Sequence, residues 1–357
     1  MCGIVGILGT KDVVPDILES LKGLEYRGYD SAGIATLTTL NVEITRRRAK
    51  GKLRNLISEI SKNPLEGHSG IGHTRWATHG APSVVNAHPH TTEKVAVVHN
   101  GIIENFKALR DELKTKGHTF TSETDTEVIA FLITDYLNDG LSSQKAVQNI
   151  LCRLEGAFAL AILIAGEHNV MYGARKGSPL VLGYGEGEMF LGSDAIALAN
   201  LTDKISYLEE GDFVEITREG ATIKDDNDNV VTREITKSFA TGLLLEKGNY
   251  QHFMQKEIFE QPIVVGETLG VYIDPLRGEI NLENLPFDLN EVGKISIIAC
   301  GTSFYAAMVA KFWFERLARV PVDVDIASEF RYRDVIFEKG GLALFISQSG
   351  ETADTLA

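Results

Sequence analysis

The chain opens Met1-Cys2 and runs directly into an apolar stretch, Gly3-Ile4-Val5-Gly6-Ile7-Leu8. A thiolate is a strong nucleophile, but a base must generate it. If Met1 is removed, which the small cysteine side chain permits, Cys2 carries its own base in an α-amine titrating at about 7.7 to 8.0. One residue then supplies both nucleophile and base, directly or through a bridging water. The alternative is that Cys2 is a small buried hydrophobe with no chemistry.

Four further segments gather polar side chains around glycines beside strand-like runs. They are Arg27-Gly28-Tyr29-Asp30-Ser31-Ala32-Gly33, His73-Thr74-Arg75-Trp76-Ala77-Thr78-His79-Gly80, His99-Asn100-Gly101 and Thr124-Asp125-Thr126-Glu127. Each has a plain structural alternative. Asn-Gly is the strongest short hairpin signal. Arg75 and Asp125 suit a surface ion pair, Asp125 also suits a helix N-terminus, and a lone Trp76 suits core packing. His88 and His90 flank Pro89 without a further ligand at metal-binding spacing, so they read as structural, and no metal or other cofactor is expected.

Together with Cys2, these segments resemble the glutamine amidotransferases that use an N-terminal nucleophile, and the match extends across the whole first domain. Within that class, Cys-Gly-Ile-Val-Gly, Arg-Gly-Tyr-Asp-Ser and His-Thr-Arg-Trp-Ala-Thr-His-Gly, in this order, are similar to the glucosamine-6-phosphate synthase family. The resemblance implies that Cys2 attacks the side-chain amide of L-glutamine, releases ammonia and leaves a thioester for water to cleave. It assigns the oxyanion hole to the Asn100 side chain and the Gly101 N–H, donors of a kind that commonly contribute about 3 kcal/mol. Arg75 would clamp the substrate carboxylate and Asp125 its ammonium group. Thr78 and His79 would add contacts, and Trp76 would gate the site.

The elements that must position these residues follow from patterning. Short apolar runs at Ile4–Leu8, Gly33–Leu37, Ile71–Trp76, Val95–Val98, Ala157–Ile164, Val170–Tyr172, Leu180–Leu182, Met189–Leu191 and Phe213–Ile216 read as strands. Few helices separate them, so the sheets should be mainly antiparallel. One helix carries Val13, Ile17, Leu21 and Leu24 on one face, and a second carries Phe106, Leu109 and Leu113 and ends at Gly117. A third opens at Thr124–Glu127 with capping-box spacing. Arg46-Arg47-Arg48 reads as a solvated strand end or loop. Asp225-Asp226-Asn227-Asp228-Asn229 reads as a hairpin tip, lacking the glycine and final glutamate of a calcium loop.

Beyond about Phe239 the pattern changes to a helix over 251–270 and then alternating strands and helices, which argue for a parallel sheet. Buried strands Ile295–Ala299 and Leu342–Ile346 are followed by Cys300-Gly301-Thr302-Ser303 and Ser347-Gln348-Ser349-Gly350-Glu351-Thr352. Hydroxyl-rich loops at strand ends and helix N-termini suit phosphate. The pair resembles the sugar isomerase (SIS) fold, which implies phosphosugar contacts from Thr302, Ser303, Ser347, Gln348, Ser349 and Thr352. Cys300 reads as a packed residue. The expected architecture is an α+β N-terminal-nucleophile domain over 2–240, antiparallel sheets sandwiched by helices. A truncated α/β SIS domain over 241–357 follows. The chain stops where the next helix should start, as expected of the front portion of a longer protein.

A length of 357 residues fits two domains, and a formal net charge of -14 argues against a nucleic-acid partner. The cysteines, Cys2, Cys152 and Cys300, are far apart and suit a reducing compartment. No basic-then-apolar leader opens the chain, and the apolar run 157–165 is too short for a bilayer. A cytoplasmic, membrane-free protein is expected. The resemblance adds fructose 6-phosphate as second substrate, and glutaminase activity alone for this stretch. Full-length members dimerise through their sugar domains, which leaves dimerisation of this chain in doubt. Competing readings are an N-terminal-nucleophile amidotransferase with another ammonia acceptor, and a non-catalytic phosphosugar-binding protein.

Overall fold

The computed structural model describes residues 2–25, 28–38, 43–77, 79–238, 250, 252–274, 279–280, 285–348 and 352–356. Internal contacts divide the chain into two units, Met1–Glu246 and Lys247–Ala357.

The first unit holds fifteen described strands. In chain order they are β1 (Gly3–Leu8), β2 (Ser31–Leu37), β3 (Ile44–Lys50), β4 (Ser69–Arg75), β5 (His90–Thr91), β6 (Val95–Ile103), β7 (Gly156–Ile164), β8 (Met171–Lys176), β9 (Val181–Tyr184), β10 (Met189–Gly192), β11 (Lys204–Tyr207), β12 (Phe213–Thr217), β13 (Gly220–Lys224), β14 (Val230–Val231) and β15 (Thr236–Lys237). They form two antiparallel sheets, ordered β15-β11-β9-β10-β1-β4-β2-β3 and β14-β13-β12-β8-β7-β6-β5. The helices are α1 (Val14–Leu24), α2 (Leu53–Lys62), α3 (Phe106–Thr115), α4 (Glu127–Asn138), α5 (Ser143–Leu151) and the single turn α6 (Ala195–Leu198).

The layers follow from strand alternation. Successive side chains of a strand face opposite ways, and β1 is buried on both sides. Ile4 and Leu8 join a core between the sheets with Ile71, Val98, Leu163 and Leu191. Val5 and Ile7 face the other way, onto Ile17, Leu21 and Leu24 of α1 and Leu53 and Leu56 of α2. On the outer side of the second sheet, Leu113, Val128, Ile129, Leu132, Ile133, Val147 and Ile150 cover Val95, Val97, Leu160 and Ile162. The sheets therefore lie face to face between two helical layers.

Three local readings change. Helices α2 and α5 were not anticipated, because each buries only a narrow stripe: Leu53 and Leu56 in one, Ala146, Val147 and Ile150 in the other. Helix α4 begins at Glu127 after Thr126, and the capping-box reading fails there. The Glu127 carboxylate instead accepts from the backbone and hydroxyls of Thr121 and Ser122. The arginine triplet is the half-buried strand β3, not a solvated end. Arg46 donates to the Pro89 carbonyl and Arg48 to those of Val85 and Ala87.

The second unit contains α7 (Phe253–Tyr272), a short hairpin of β16 (Ile273–Asp274) and β17 (Glu279–Ile280), and then β18 (Ile295–Ala299), α8 (Gly301–Trp313), β19 (Val322–Ile326), α9 (Ala327–Phe330), β20 (Leu342–Ile346) and α10 (Ala353–Leu356). The last three strands form a parallel sheet with β18 at its centre. Helix α8 starts directly at the glycine after Cys300.

Candidate active site

Cys2 is placed by the strand that follows it. The β1–β4 register sets Gly3 opposite Thr74, so Cys2 meets the chain where β4 ends at Arg75 and Trp76. Its sulfur accepts from the Trp76 N–H at 3.3 Å and lies 3.5 Å from the Trp76 carbonyl oxygen. Burial pushes the thiol pKa up, opposed by the Trp76 N–H and the Arg75 charge, while Asp30 adds to the rise. A base at the site is therefore needed to form the thiolate.

From the facing sheet, the Asn100 Nδ2 donates to the Cys2 carbonyl at 2.8 Å. Asn100 and Gly101 do not form a turn: both lie inside β6, paired with Ala159 and Phe158 of β7. Gly101 has φ of 123°, and a Cβ there would sit 2.0 Å from the Ala157 carbonyl oxygen. Only glycine lets the strand turn its backbone this way while staying paired.

Arg75 is 3 % exposed. Its Nη2 donates to the carbonyls of His79 and Gly80, whereas Nη1 is buried without a hydrogen-bond partner, 3.9 Å from Asp30 Oδ1. Asp125, equally buried, accepts from the Ile103 N–H at 2.8 Å through Oδ2. Cys2, Arg75, Trp76, His79, Gly101 and Asp125 line one narrow cleft. Trp76 is 48 % exposed at its mouth, edge-on to Tyr29 at 5.4 Å between ring centres. Thr78 lies outside the described residues. A larger cleft of about 460 Å³, beside α5 and floored by Phe158 and Phe213, holds none of the expected residues.

Sequence reasoning quoted Asp30 within a motif but gave it no role. Its carboxylate accepts from the Ala77 N–H and the Ser31 hydroxyl, and its own N–H donates to the Arg75 carbonyl. It thus pins the segment that carries Arg75 and Trp76. A motif that brackets an aspartate with glycine and serine was the available signal.

Four buried imidazoles cluster at the cleft, and His88 and His99 line it together with Thr124 and Thr126. His73 stacks on His88 at 4.3 Å and His88 meets His90 edge-on at 4.7 Å. Thr126 Oγ1 bonds both His88 Nε2 (2.8 Å) and His99 Nδ1 (2.9 Å), and Thr124 Oγ1 bonds His90 Nε2 (3.0 Å). Burial pushes all four below the ordinary histidine range, His73 to about 3. Among the described residues no group of three or more His, Cys, Asp or Glu could hold a metal ion.

In the second unit Ala299 pairs with Ile346. The loops that begin at Cys300 and Ser347 therefore leave the same edge of the sheet side by side. Thr302 and Ser303 sit in the first turn of α8, Ser347 and Thr352 hydroxyls are 3.2 Å apart, and Gln348 is exposed. Ser349 lies outside the described residues. Cys300 caps the N-terminal end of α8 and is partly buried.

Comparison with known proteins agrees with this arrangement. A glutamine amidotransferase domain family matches residues 78–200, and the SIS domain family matches 288–357. The chain is 58% identical over 357 residues to glutamine–fructose-6-phosphate aminotransferase [isomerizing] of Zymomonas mobilis, covering 100% of this chain and 58% of that protein. It is 59% identical over 358 residues to the protein of the same name from Bradyrhizobium diazoefficiens, covering 100% and 59%. The glutamine phosphoribosylpyrophosphate amidotransferase of B. subtilis shares the fold, with a TM-score of 0.54 and 22% identity over 90% of this chain and 65% of that one. The chain thus spans somewhat more than half the length of these curated relatives. With Cys2 ahead of a central strand, two facing antiparallel sheets and an appended parallel sheet, the chain matches a glutamine amidotransferase domain and an SIS domain, and over its full length it is similar to the proteins named glutamine–fructose-6-phosphate aminotransferase [isomerizing].

Proposed function

We propose that this chain hydrolyses L-glutamine to glutamate and ammonia at Cys2, and that a protein of its relatives' full length uses the ammonia to convert fructose 6-phosphate into glucosamine 6-phosphate. One observation carries the reading. A thiol, a buried guanidinium with an unpartnered nitrogen, a buried carboxylate and a strand glycine of unusual conformation line a single cleft. These are the groups that an amide carbon, an α-carboxylate, an α-ammonium and an oxyanion require.

In this mechanism the α-amine freed by loss of Met1 takes the thiol proton. The sulfur adds to the amide carbon, and the charge on oxygen is met by the Asn100 Nδ2–H and Gly101 N–H. The proton passes to the leaving nitrogen, the C–N bond breaks, and ammonia departs. Water then adds to the thioester, and C–S cleavage returns the thiol with glutamate. Arg75 pairs with the substrate carboxylate, Asp125 with its ammonium, Thr78 and His79 extend the clamp, and Trp76 closes over it. We assign Thr302, Ser303, Ser347, Gln348, Ser349 and Thr352 to the sugar phosphate and place the domain division at 240/241. No helix among the described residues is long and apolar enough to cross a membrane. A cytoplasmic location and dimerisation of the full-length protein belong to the same reading.

The test is glutamate release by the purified chain beside Cys2→Ala, with an intact-mass spectrum to report loss of Met1. Release that vanishes in the variant supports the reading. Equal release from both, or none from a chain shown to start at Cys2, counts against it.

A further inference from the structure

The nucleophile and the oxyanion donors sit on different sheets, so their separation depends on what holds the sheets in register. His73 lies on β4, opposite Ile4 of β1 and two residues before Arg75. Its Nε2 is 3.1 Å from the carbonyl oxygen of His99 on the facing β6. A carbonyl only accepts, so His73 carries its proton on Nε2 and donates. The bonded carbonyl belongs to the peptide that joins His99 to Asn100.

We propose that His73 is a positioning residue for the reaction: its cross-sheet hydrogen bond to the His99 carbonyl sets the Asn100 and Gly101 donors against Cys2.

The surroundings suit that task. Stacking on His88 fixes the plane of the His73 ring. His88 is fixed in turn through Thr126, whose single hydroxyl proton can go to only one of two imidazoles and must accept from the other. His88 and His99 therefore hold complementary hydrogen-bonding roles. A cross-sheet carbonyl can be held by one neutral donor without placing a charge beside the thiol. The burial that keeps His73 neutral, about 3 in pKa, serves this purpose.

The inference rests on the glutaminase reading, and the experiment separates the two. The full 357-residue chain, His73→Phe and His73→Gln are assayed for glutamate release, and alkylation by iodoacetamide is followed by mass at Cys2. Alkylation needs the thiolate but no oxyanion hole. The expected result for His73→Phe is a fall of about 10- to 100-fold in kcat, below the loss for deleting a donor outright. KM for glutamine and the Cys2 alkylation rate should stay within threefold. His73→Gln, whose amide restores a donor, should recover most of kcat. Thr126→Val, which removes the shared hydroxyl, should lower kcat about fivefold with KM unchanged, and serves if His73→Phe fails to fold. A folded His73→Phe with parental kcat, or one losing KM and alkylation in step with kcat, overturns the inference alone, as does an unaffected Thr126→Val. A parent chain starting at Cys2 that releases no glutamate overturns the glutaminase reading, and this inference with it.

Discussion

Replacing Gly101 by alanine tests the oxyanion geometry most directly. The added Cβ would stand 2.0 Å from the Ala157 carbonyl oxygen, 2.8 Å from its carbon and 2.9 Å from the Phe158 Cα, all backbone atoms. Ordinary contact needs about 3.5 Å, so β6 and β7 must part locally by more than about 1 Å. The φ of 123° lies where a side chain is strained, at a cost on the order of 1–3 kcal/mol. A donor displaced that far no longer reaches the oxyanion, a loss of about 10²–10³ in kcat. We expect Gly101→Ala to lower glutaminase kcat by about two orders of magnitude, with KM changed less than threefold and the unfolding midpoint lowered by several degrees. The assay is steady-state glutamate release beside a thermal melt. A variant with kcat within threefold of its parent would refute the argument that the Gly101 backbone serves the reaction.

The four depressed histidines make stability pH-dependent. Below about pH 6.5 the unfolded chain binds protons that His73, His88, His90 and His99 refuse when folded. Stability is then complete above that pH and falls as pH drops, with a limiting slope of about 1.4 kcal/mol per unit for each histidine that stays neutral in the folded chain. Arg46, Arg48 and Arg75 lower some of these values further and Asp125 raises His99, so the sign holds. Urea midpoints at pH 7.5, 6 and 5 check it, and a flat series would contradict it. Asp30→Asn removes a charge beside Arg75 and weakens the hold on Ala77, so KM for glutamine should rise about tenfold, the scale of one charged hydrogen bond. Because Asp30 also raises the Cys2 pKa, iodoacetamide should alkylate Cys2 of the variant faster at a given pH. An unchanged KM would show that the segment is held without it.

The runs 71–76 and 95–98 were legible as β4 and β6 from their apolar patterning, whereas the candidate roles of Cys2, Arg75 and Asn100 came from the family resemblance. Asn100-Gly101 itself favours a turn by local propensity. It stays in the strand because pairing with Ala159 and Phe158 outweighs that preference. The arginines of β3 hid a strand because their heads reach carbonyls far away in sequence, at 85–89 for Arg46 and Arg48 and at 63–64 for Arg47. The imidazole cluster was invisible for the same reason: His73, His88 and His99 come from segments that meet only after the sheets face each other. In the second unit the alternation of strand and helix was legible, whereas the short hairpin of β16 and β17 was not.

The place of β1 has a consequence for synthesis. It lies between β4 and β10 and pairs with residues 69–74 on one side and 189–192 on the other. Strand β1 is thus flanked on both sides only after residues 189–192 have been made. At roughly 5–20 residues per second, the stretch up to Gly192 takes on the order of 10 to 40 s to emerge. Throughout that interval β1 lacks its second neighbour, so its edge toward β10 stays unpaired while the chain between them is made.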